Sequence, residues 1–335
     1  MKKILYKIIA FFILTISITC GWLWMDFNNF IDRQANLPDA GIDITVNEGA
    51  TFASVSRELY EMDIIDSLFY AKLSGKVFPH FTKIKKGEYH LVQTMSARDI
   101  FLKLASGKVK IYQIRFIEGW TFKQFLAQLA DEKNLRQDIV NFKKQQIAEK
   151  LSIEQNNPEG WFYPDTYNFQ KGTSDLEILQ SSHNMMQKIL SKHWDERDIG
   201  LPYETAYEVL IMASIIEKET GSAGERSRIA GVFIRRLNKN MRLQTDPTVI
   251  YGLGDAFDGD IKRKDLNSQS VYNTYRHKGL PPTPIAMPSE ASISAAVHPA
   301  EGTELYFVAR GDGSHQFSST LEEHNQAVRK YQLNQ

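Results

Sequence analysis

The sequence predicts an α+β protein with an N-terminal transmembrane helix, a small α+β subdomain and a larger α+β domain. Three observations predict this organisation. An apolar run opens the chain, a strand–helix–helix–strand–helix pattern occupies residues 42–108, and helices mixed with short strands continue to the end. A chain of 335 residues is long enough to bury a large core and to hold two or three such parts.

Composition excludes several classes of protein. Lys and Arg total 40 and Asp and Glu total 40, and no basic stripe stands out, so we expect no nucleic-acid partner. The only cysteine, Cys20, lies in the apolar run, which excludes an intrachain disulfide and a cysteine-based zinc site elsewhere. The spacing of His298, His315 and His324 matches no zinc pattern, and we expect neither a metal nor a cofactor.

The N-terminus is typical of a membrane anchor. Lys2, Lys3 and Lys7 precede an apolar run over residues 8–25, close to the ~20 residues that span a bilayer. Trp22 and Trp24 stand at its far end, where an aromatic belt is expected. A cleaved signal peptide is the alternative, but bulky residues occupy the place of its small-residue cleavage site. We therefore expect an uncleaved anchor over residues 1–25 and a polar linker over residues 26–41.

The positive flank of the anchor should stay in the cytoplasm, which places the rest of the chain outside. Within that part, residues 42–108 form the small subdomain. A strand over residues 109–117, followed by a helix through Phe125, Leu126 and Leu129, opens the larger domain, which runs to residue 335.

The helix predicted over residues 206–220 carries the strongest candidate for catalysis. Ala206, Leu210 and Ala213 lie in line with Glu217 at helical spacing, and small residues leave room for a groove. A carboxylate at the floor of such a groove would lose hydration, and its pKa would rise as a general acid requires. The alternative is a solvated glutamate near a helix end. We expect that for Glu219, because side chains at i and i+2 do not face each other.

Three loops could serve a polar ligand. Residues 158–167 are rich in aromatic rings, which either stack on sugars or pack on the core. Residues 244–246 either hydrogen-bond a polyhydroxyl ligand or cap the next helix, and residues 272–285 form a rigid, proline-rich segment. The chain has no glycine-rich phosphate loop, no Gly-x-Ser-x-Gly elbow and no His-Glu-x-x-His motif. Carbohydrate cleavage therefore fits better than acyl or phosphoryl transfer.

Five segments in the same order resemble the endolytic murein transglycosylases, the MltG or YceG-like family. They are ASIIEKET at 213–220, RLQTDPTVIYG at 242–252, YNTY at 272–275, GLPP at 279–282 and LYFVA at 305–309. Val271 and the segment at 287–290 depart from the family pattern, which affects local loop shape. The resemblance covers the chain from the anchor to the end, and Glu217 falls on the catalytic glutamate of the family.

The resemblance implies a single-pass inner-membrane protein with a cytoplasmic N-terminus, a LysM-like subdomain over residues 42–108 and a periplasmic YceG-like catalytic domain over residues 109–335. It implies cleavage of the MurNAc-GlcNAc β-1,4 bond within nascent glycan strands, leaving 1,6-anhydroMurNAc ends and terminating elongation. It also implies peptidoglycan synthases, the penicillin-binding proteins, as partners.

We assign Glu217 as the single acid and base, with no second carboxylate nucleophile. The candidates for holding the sugar are Gln244, Asp246, Tyr251, Asn273 and Tyr275. Two other functions remain open at this point. A hydrolase would leave reducing ends, and a non-catalytic scaffold would bind glycan without cutting it.

Overall fold

The protein divides into two compact units, the first ending at Tyr112 and the second starting at Gln113. A computed structural model describes residues 2–333. The predicted α+β fold class is confirmed: a long apolar N-terminal helix is followed by mixed helices and short strands.

The first helix, α1 (Lys2–Asp32), is 31 residues long. From Lys3 onward it is long and apolar enough to cross a membrane, with a mean hydropathy of 2.1. Its last turns differ from the predicted linker over residues 26–41, because Phe27, Phe30 and Ile31 are buried in the core of the first unit. These three residues stand at i, i+3 and i+4 and form one apolar face of the helix.

The first unit packs three further helices and a two-stranded antiparallel sheet against the end of α1. Ile44 lies opposite Tyr89 in the sheet, and both side chains are buried. Thr51, Ser67 and Ser96 cap the helices with their hydroxyls, which fixes where each helix begins. The elements are β1 (Ile42–Val46), α2 (Phe52–Glu61), α3 (Leu68–Val77), β2 (Gly87–Leu91) and α4 (Ala97–Ser106).

The second unit is mainly helical and has two small sheets. Strand β3 (Tyr112–Arg115), at the start of this unit, pairs with β4 (Thr166–Phe169), and it is shorter than the strand predicted over residues 109–117. A hairpin of β5 (Tyr306–Ala309) and β6 (His315–Ser318) places Phe307 opposite Phe317. The helices are α5 (Phe122–Asp131), α6 (Lys144–Lys150), α7 (Asp175–Asp195), α8 (Ala206–Glu219), α9 (Arg226–Asn238), α10 (Asp246–Leu253), α11 (Glu290–Val297) and α12 (Leu321–Tyr331).

Helix α8 lies at the centre of the second unit and contacts α7, α9, α10 and α11. It begins directly after Thr205, which forms a capping box with Glu208. Residues 209–216 are all buried, so the helix is covered on every side and not only along one stripe. In its C-terminal turn Glu217 and Glu219 are half-buried.

Candidate active site

Glu217 is half-buried at the C-terminal end of α8 and is held by the start of α11. Its Oε2 accepts the Ser289 N–H at 3.0 Å, the Ser289 hydroxyl at 2.5 Å and the Ser292 hydroxyl at 2.7 Å. Within residues 2–333 no hydrogen bond engages Oε1. One carboxylate oxygen is therefore fixed by three donors, and the other is available to a ligand.

The surroundings of Glu217 are more polar than the apolar groove predicted from the sequence. The apolar stripe belongs to the buried body of α8, whereas the carboxylate lies against serine hydroxyls and the N-terminus of a helix. Ser289 also caps α11 by accepting the Ser292 N–H at 3.3 Å, so the same residue starts the helix and positions the acid.

The turn at Gly119 forms a second wall beside Glu217. The Gly119 N–H donates to the Met287 carbonyl and the Met287 N–H donates to the Trp120 carbonyl, each at 2.8 Å. Gly119 has a φ of +74°, and a Cβ there would lie 3.7 Å from Cγ of Glu217. The turn thus approaches the acid while remaining tied to the segment that leads into α11.

The proline-rich loop is hydrogen-bonded to the middle of α8. The Ile285 N–H donates to the buried Ser214 hydroxyl at 3.0 Å, and that hydroxyl donates to the Ile211 carbonyl at 2.7 Å. Gly160, in the aromatic loop, approaches Pro284 so closely that a Cβ would lie 2.5 Å from its ring carbons. The loop is therefore clamped between α8 and residues 158–167.

Glu219 is the carboxyl that the sequence analysis judged wrongly. It is not a solvated surface charge: burial raises its pKa to about 7, and a hydrogen bond from the Thr245 hydroxyl opposes that rise. Thr245 is itself 2% exposed. The partner comes from a loop 26 positions away, which helix periodicity alone does not reveal.

Three of the predicted sugar-binding residues gather around Glu219. Gln244, Asp246 and Tyr275 line a cleft of about 540 Å³ together with Glu219 and Arg236. The Tyr275 hydroxyl donates to Asp246 at 2.6 Å, and the Gln244 N–H donates to the Thr274 carbonyl at 3.2 Å. These bonds join the segment at 242–252 to the segment at 272–275, two of the five that resemble the family. None of the three residues hydrogen-bonds Glu217 within the part of the chain that the structure describes.

Tyr251 lies apart from this cleft. Its hydroxyl donates to Glu159 at 3.0 Å, and its ring packs edge-on against Tyr272 at 4.9 Å. Glu159 is 1% exposed, and burial raises the pKa of its carboxyl. It also accepts the Phe122 N–H at 2.8 Å, at the start of α5. The Tyr251 hydroxyl is thus committed to a buried partner.

Asn273 also differs from its predicted role as a direct sugar contact. Its side chain is 0% exposed. The amide nitrogen donates to the carbonyls of Leu266 and Ser268, and its oxygen accepts the Tyr275 N–H at 3.0 Å. Asn273 therefore shapes the loop that presents Tyr275, and its burial keeps it from a ligand.

The aromatic loop at 158–167 packs on the core, which was one of the two alternatives. Phe162 is fully buried and stacks on Phe122 at 5.1 Å, and Trp161 stacks on Tyr207 at 5.7 Å.

Sequence reasoning missed the donors around Glu217 and the arginine in the cleft. Ser289 was recognisable only as a helix cap, and Ser292 carried no signal at all. Arg236 is 6% exposed and donates to the carbonyls of Leu305 and Leu243, each at 2.6 Å. Among residues 2–333 no group of three or more His, Cys, Asp or Glu side chains is arranged to hold a metal ion.

Comparison with known proteins identifies the family of the chain. A model of the YceG-like family matches residues 44–330. An endolytic murein transglycosylase of Bacillus subtilis (strain 168) is 32% identical over 314 residues, covering 87% of this chain and 84% of the relative. An endolytic murein transglycosylase of Streptococcus pneumoniae serotype 2 is 26% identical over 329 residues, covering 87% of this chain and 58% of the relative.

Among solved structures, a crystal structure of a YceG-like protein from Listeria monocytogenes is 31% identical in sequence and superimposes with a TM-score of 0.55. The match covers 87% of this chain and 100% of that one. The sequence segments, the fold and the family model all agree, and the chain belongs to the YceG-like family.

Proposed function

We propose that this protein is an endolytic peptidoglycan lytic transglycosylase that cuts the MurNAc-GlcNAc β-1,4 bond within nascent glycan strands. The observation that carries the proposal is the geometry of Glu217. Three donors occupy Oε2 and leave Oε1 to the substrate. The names of the relatives support the same substrate and reaction.

In the first step Glu217 acts as the general acid. Oε2 accepts three hydrogen bonds, so Oε1 is the oxygen from which the proton is transferred in this proposal. Glu217 gives this proton to the glycosidic oxygen, the bond from that oxygen to MurNAc C1 breaks, and GlcNAc leaves with a new hydroxyl. Positioned proton transfer of this kind contributes about 10²- to 10⁴-fold in rate.

In the second step the same carboxylate acts as the base. It takes the proton of the MurNAc C6 hydroxyl, whose oxygen bonds to C1 and closes a 1,6-anhydro ring. Glu217 ends the cycle protonated, as it began, and no water is consumed. A second carboxylate nucleophile, as in paired-carboxylate glycosidases, is not required.

The cleft around Glu219 holds the glycan strand in this proposal. Gln244, Asp246 and Tyr275 supply donors and acceptors for sugar hydroxyls beside the end of α8. Asp246 and Tyr275 already share a hydrogen bond, so their orientation is fixed before a sugar arrives. Glu219 lies at the inner wall of the cleft, where it borders the strand without taking part in proton transfer.

We further propose that α1 anchors the protein in the inner membrane, with its N-terminus cytoplasmic and the catalytic domain, residues 109–335, periplasmic. Lys2, Lys3 and Lys7 on the cytoplasmic side set this orientation. Residues 42–108 serve as the LysM-like subdomain. Cleavage of nascent strands at the membrane places the enzyme beside the peptidoglycan synthases, and termination of strand elongation follows from its cut.

Product analysis tests the reaction. Purified full-length protein in detergent should convert uncrosslinked glycan strands into shorter strands with 1,6-anhydroMurNAc ends, detected by mass spectrometry. Glu217→Gln should keep the fold, shown by an unchanged melting temperature, and should lose cleavage. Reducing ends in the products would identify a hydrolase, and glycan binding without cleavage by the wild type would identify a scaffold. Either result, or normal cutting by Glu217→Gln, overturns the proposal.

A further inference from the structure

The packed core of the first unit begins where the apolar span ends. Trp24 is 57% exposed, in the place of an interfacial tryptophan, and Phe27, three residues later, is 1% exposed in the core of the unit. At 1.5 Å of rise per residue, these positions are only about 5 Å apart along the helix axis. A bilayer around α1 therefore reaches almost to the core of the first unit.

Helix α3 is the element that packs at this level. The Tyr70 hydroxyl donates to Asp26 at 2.7 Å, and the Tyr70 ring lies 6.0 Å from that of Phe27. Phe78, the residue that follows α3, stacks on Phe27 at 6.3 Å with 19° between the rings. Both ends of α3 thus meet α1 next to Trp24, whose ring lies 5.7 Å from Phe27.

The outward side of α3 is suited to a membrane surface. Phe69 is 69% exposed and Val77 is 38% exposed, although both are apolar. Lys72 and Lys76 are exposed as well, and they share a side of the helix with Phe69 at spacings of three and seven residues. The sequence of α3, LFYAKLSGKV, contains no acidic residue. Aromatic and aliphatic residues flanked by lysines are typical of helices that lie in a lipid interface.

We propose that α3 rests on the outer surface of the bilayer that α1 crosses, with Phe69 and Val77 at the level of the lipid headgroups and with Lys72 and Lys76 on anionic lipid phosphates. The proposal rests on the membrane anchorage given under the proposed function. The occupant is the lipid surface because α3 packs on α1 at Phe27, three residues past Trp24, and because its two lysines complement anionic lipids. Contact through both α1 and α3 would keep the first unit from pivoting on the membrane.

Depth measurements on the full chain test this contact. In a Cys20→Ser background, single cysteines at Phe69→Cys and Val92→Cys are labelled with a fluorophore and placed in phosphatidylglycerol nanodiscs that contain headgroup spin-labelled lipid. Val92 is the control position and is 38% exposed. It precedes Gln93, whose carbonyl accepts a hydrogen bond from the side-chain amide of Gln34. Gln34 follows the end of α1 at Asp32, which lies roughly 10 Å beyond Met25 along the helix. We expect severalfold stronger quenching at position 69 than at 92. Equal quenching would overturn the proposal.

Charge reversal tests the lysines separately. Lys72→Glu with Lys76→Glu should reduce quenching at position 69 severalfold in phosphatidylglycerol nanodiscs. Lys85→Glu with Lys108→Glu, on exposed lysines elsewhere in the unit, should leave it unchanged. Unaltered quenching after the first reversal would also overturn the proposal. The Glu217→Gln protein should give the wild-type quenching pattern, so failure of the lipid contact and failure of the enzymatic proposal are told apart.

Discussion

The Ser292 hydroxyl donates a hydrogen bond of 2.7 Å to Glu217, although 75 positions of the chain separate the two residues. Ser289 adds two more bonds to the same oxygen. The acid therefore depends on two helices at once: α8 supplies the carboxyl, and the start of α11 decides which of its oxygens meets the substrate.

Removing one of these donors should slow catalysis without unfolding the protein. For Ser292→Ala we expect kcat to fall about 10- to 100-fold, since a hydrogen bond to a charged group contributes roughly 1.5–3 kcal/mol. The KM for glycan strands should change little, because the hydroxyl contacts the acid and not the sugar. Initial rates of anhydro-product formation measure both quantities.

Ser294→Ala is the matched control for this prediction. It removes a hydroxyl from the same helix, and no hydrogen bond of that hydroxyl occurs within residues 2–333. Its rate should equal that of the wild type. A wild-type rate for Ser292→Ala as well would show that the donors on Oε2 do not govern proton transfer.

Glu219 should make the stability of the protein depend on pH. Its pKa in the folded protein is raised to about 7 from 4.5. Below the lower value both states are protonated, and the contribution of this group to stability is at its most favourable. As pH rises to about 7 the unfolded chain ionises first, so the free energy of unfolding falls by roughly 1–3 kcal/mol.

Glu219→Gln should remove this component, because glutamine can still accept the Thr245 hydroxyl but does not titrate. Thermal unfolding of the wild type and the variant is followed between pH 4 and about 8. Their melting temperatures should converge at the acidic end of this range, where Glu219 is protonated in both the folded and the unfolded state. The melting temperature of the wild type should decline relative to that of the variant as pH rises. A constant difference across the range would contradict a shifted titration at this residue.

The hydroxyl of Tyr275 should matter for glycan binding. Tyr275→Phe deletes its bond to Asp246 and one group of the cleft, and we expect KM to rise about 3- to 10-fold with kcat nearly unchanged, as for loss of one net hydrogen bond. Tyr251→Phe makes the same chemical change where the hydroxyl serves buried Glu159. It should lower the melting temperature and spare KM. A raised KM for Tyr251→Phe together with an unchanged KM for Tyr275→Phe would show that Tyr251, and not Tyr275, contacts the glycan.

Asn273 should contribute to stability. Asn273→Ala leaves the carbonyls of Leu266 and Ser268 and the Tyr275 N–H without their partner, all in a buried loop. We expect the free energy of unfolding to fall by about 2–4 kcal/mol, measured by chemical denaturation. If Asn273→Ala instead raised KM and kept wild-type stability, Asn273 would be a direct contact of the sugar, as the sequence predicted.

Local signals in the sequence predicted much of the fold. The strand–helix–helix–strand–helix order predicted for residues 42–108 matches the observed elements, whose helices begin after capping hydroxyls such as those of Thr51 and Ser96. The apolar run and its lysines predicted α1, and the central helix was found within one residue of its observed end at Glu219. These features depend on residues a few positions apart, which helix geometry and capping chemistry relate directly.

What the sequence did not reveal depends on contacts between distant segments. The burial of Glu219 requires Thr245, and the polar cradle of Glu217 requires α11 to pack on α8. The extension of α1 past the span could have been found, because Phe27, Phe30 and Ile31 repeat at helical spacing. The polar residues between them favoured a linker instead.

The close approach of Gly160 to Pro284 has a consequence for variation in the family. Gly160 has a φ of +83°, and any side chain there would overlap the proline ring. The two positions are 124 residues apart by number, 284 minus 160, yet Gly160 cannot gain a side chain while Pro284 keeps its ring in place. Homologous sequences that carry a larger residue at the first position should show a compensating change at the second, so the pair should stand out as a covarying contact.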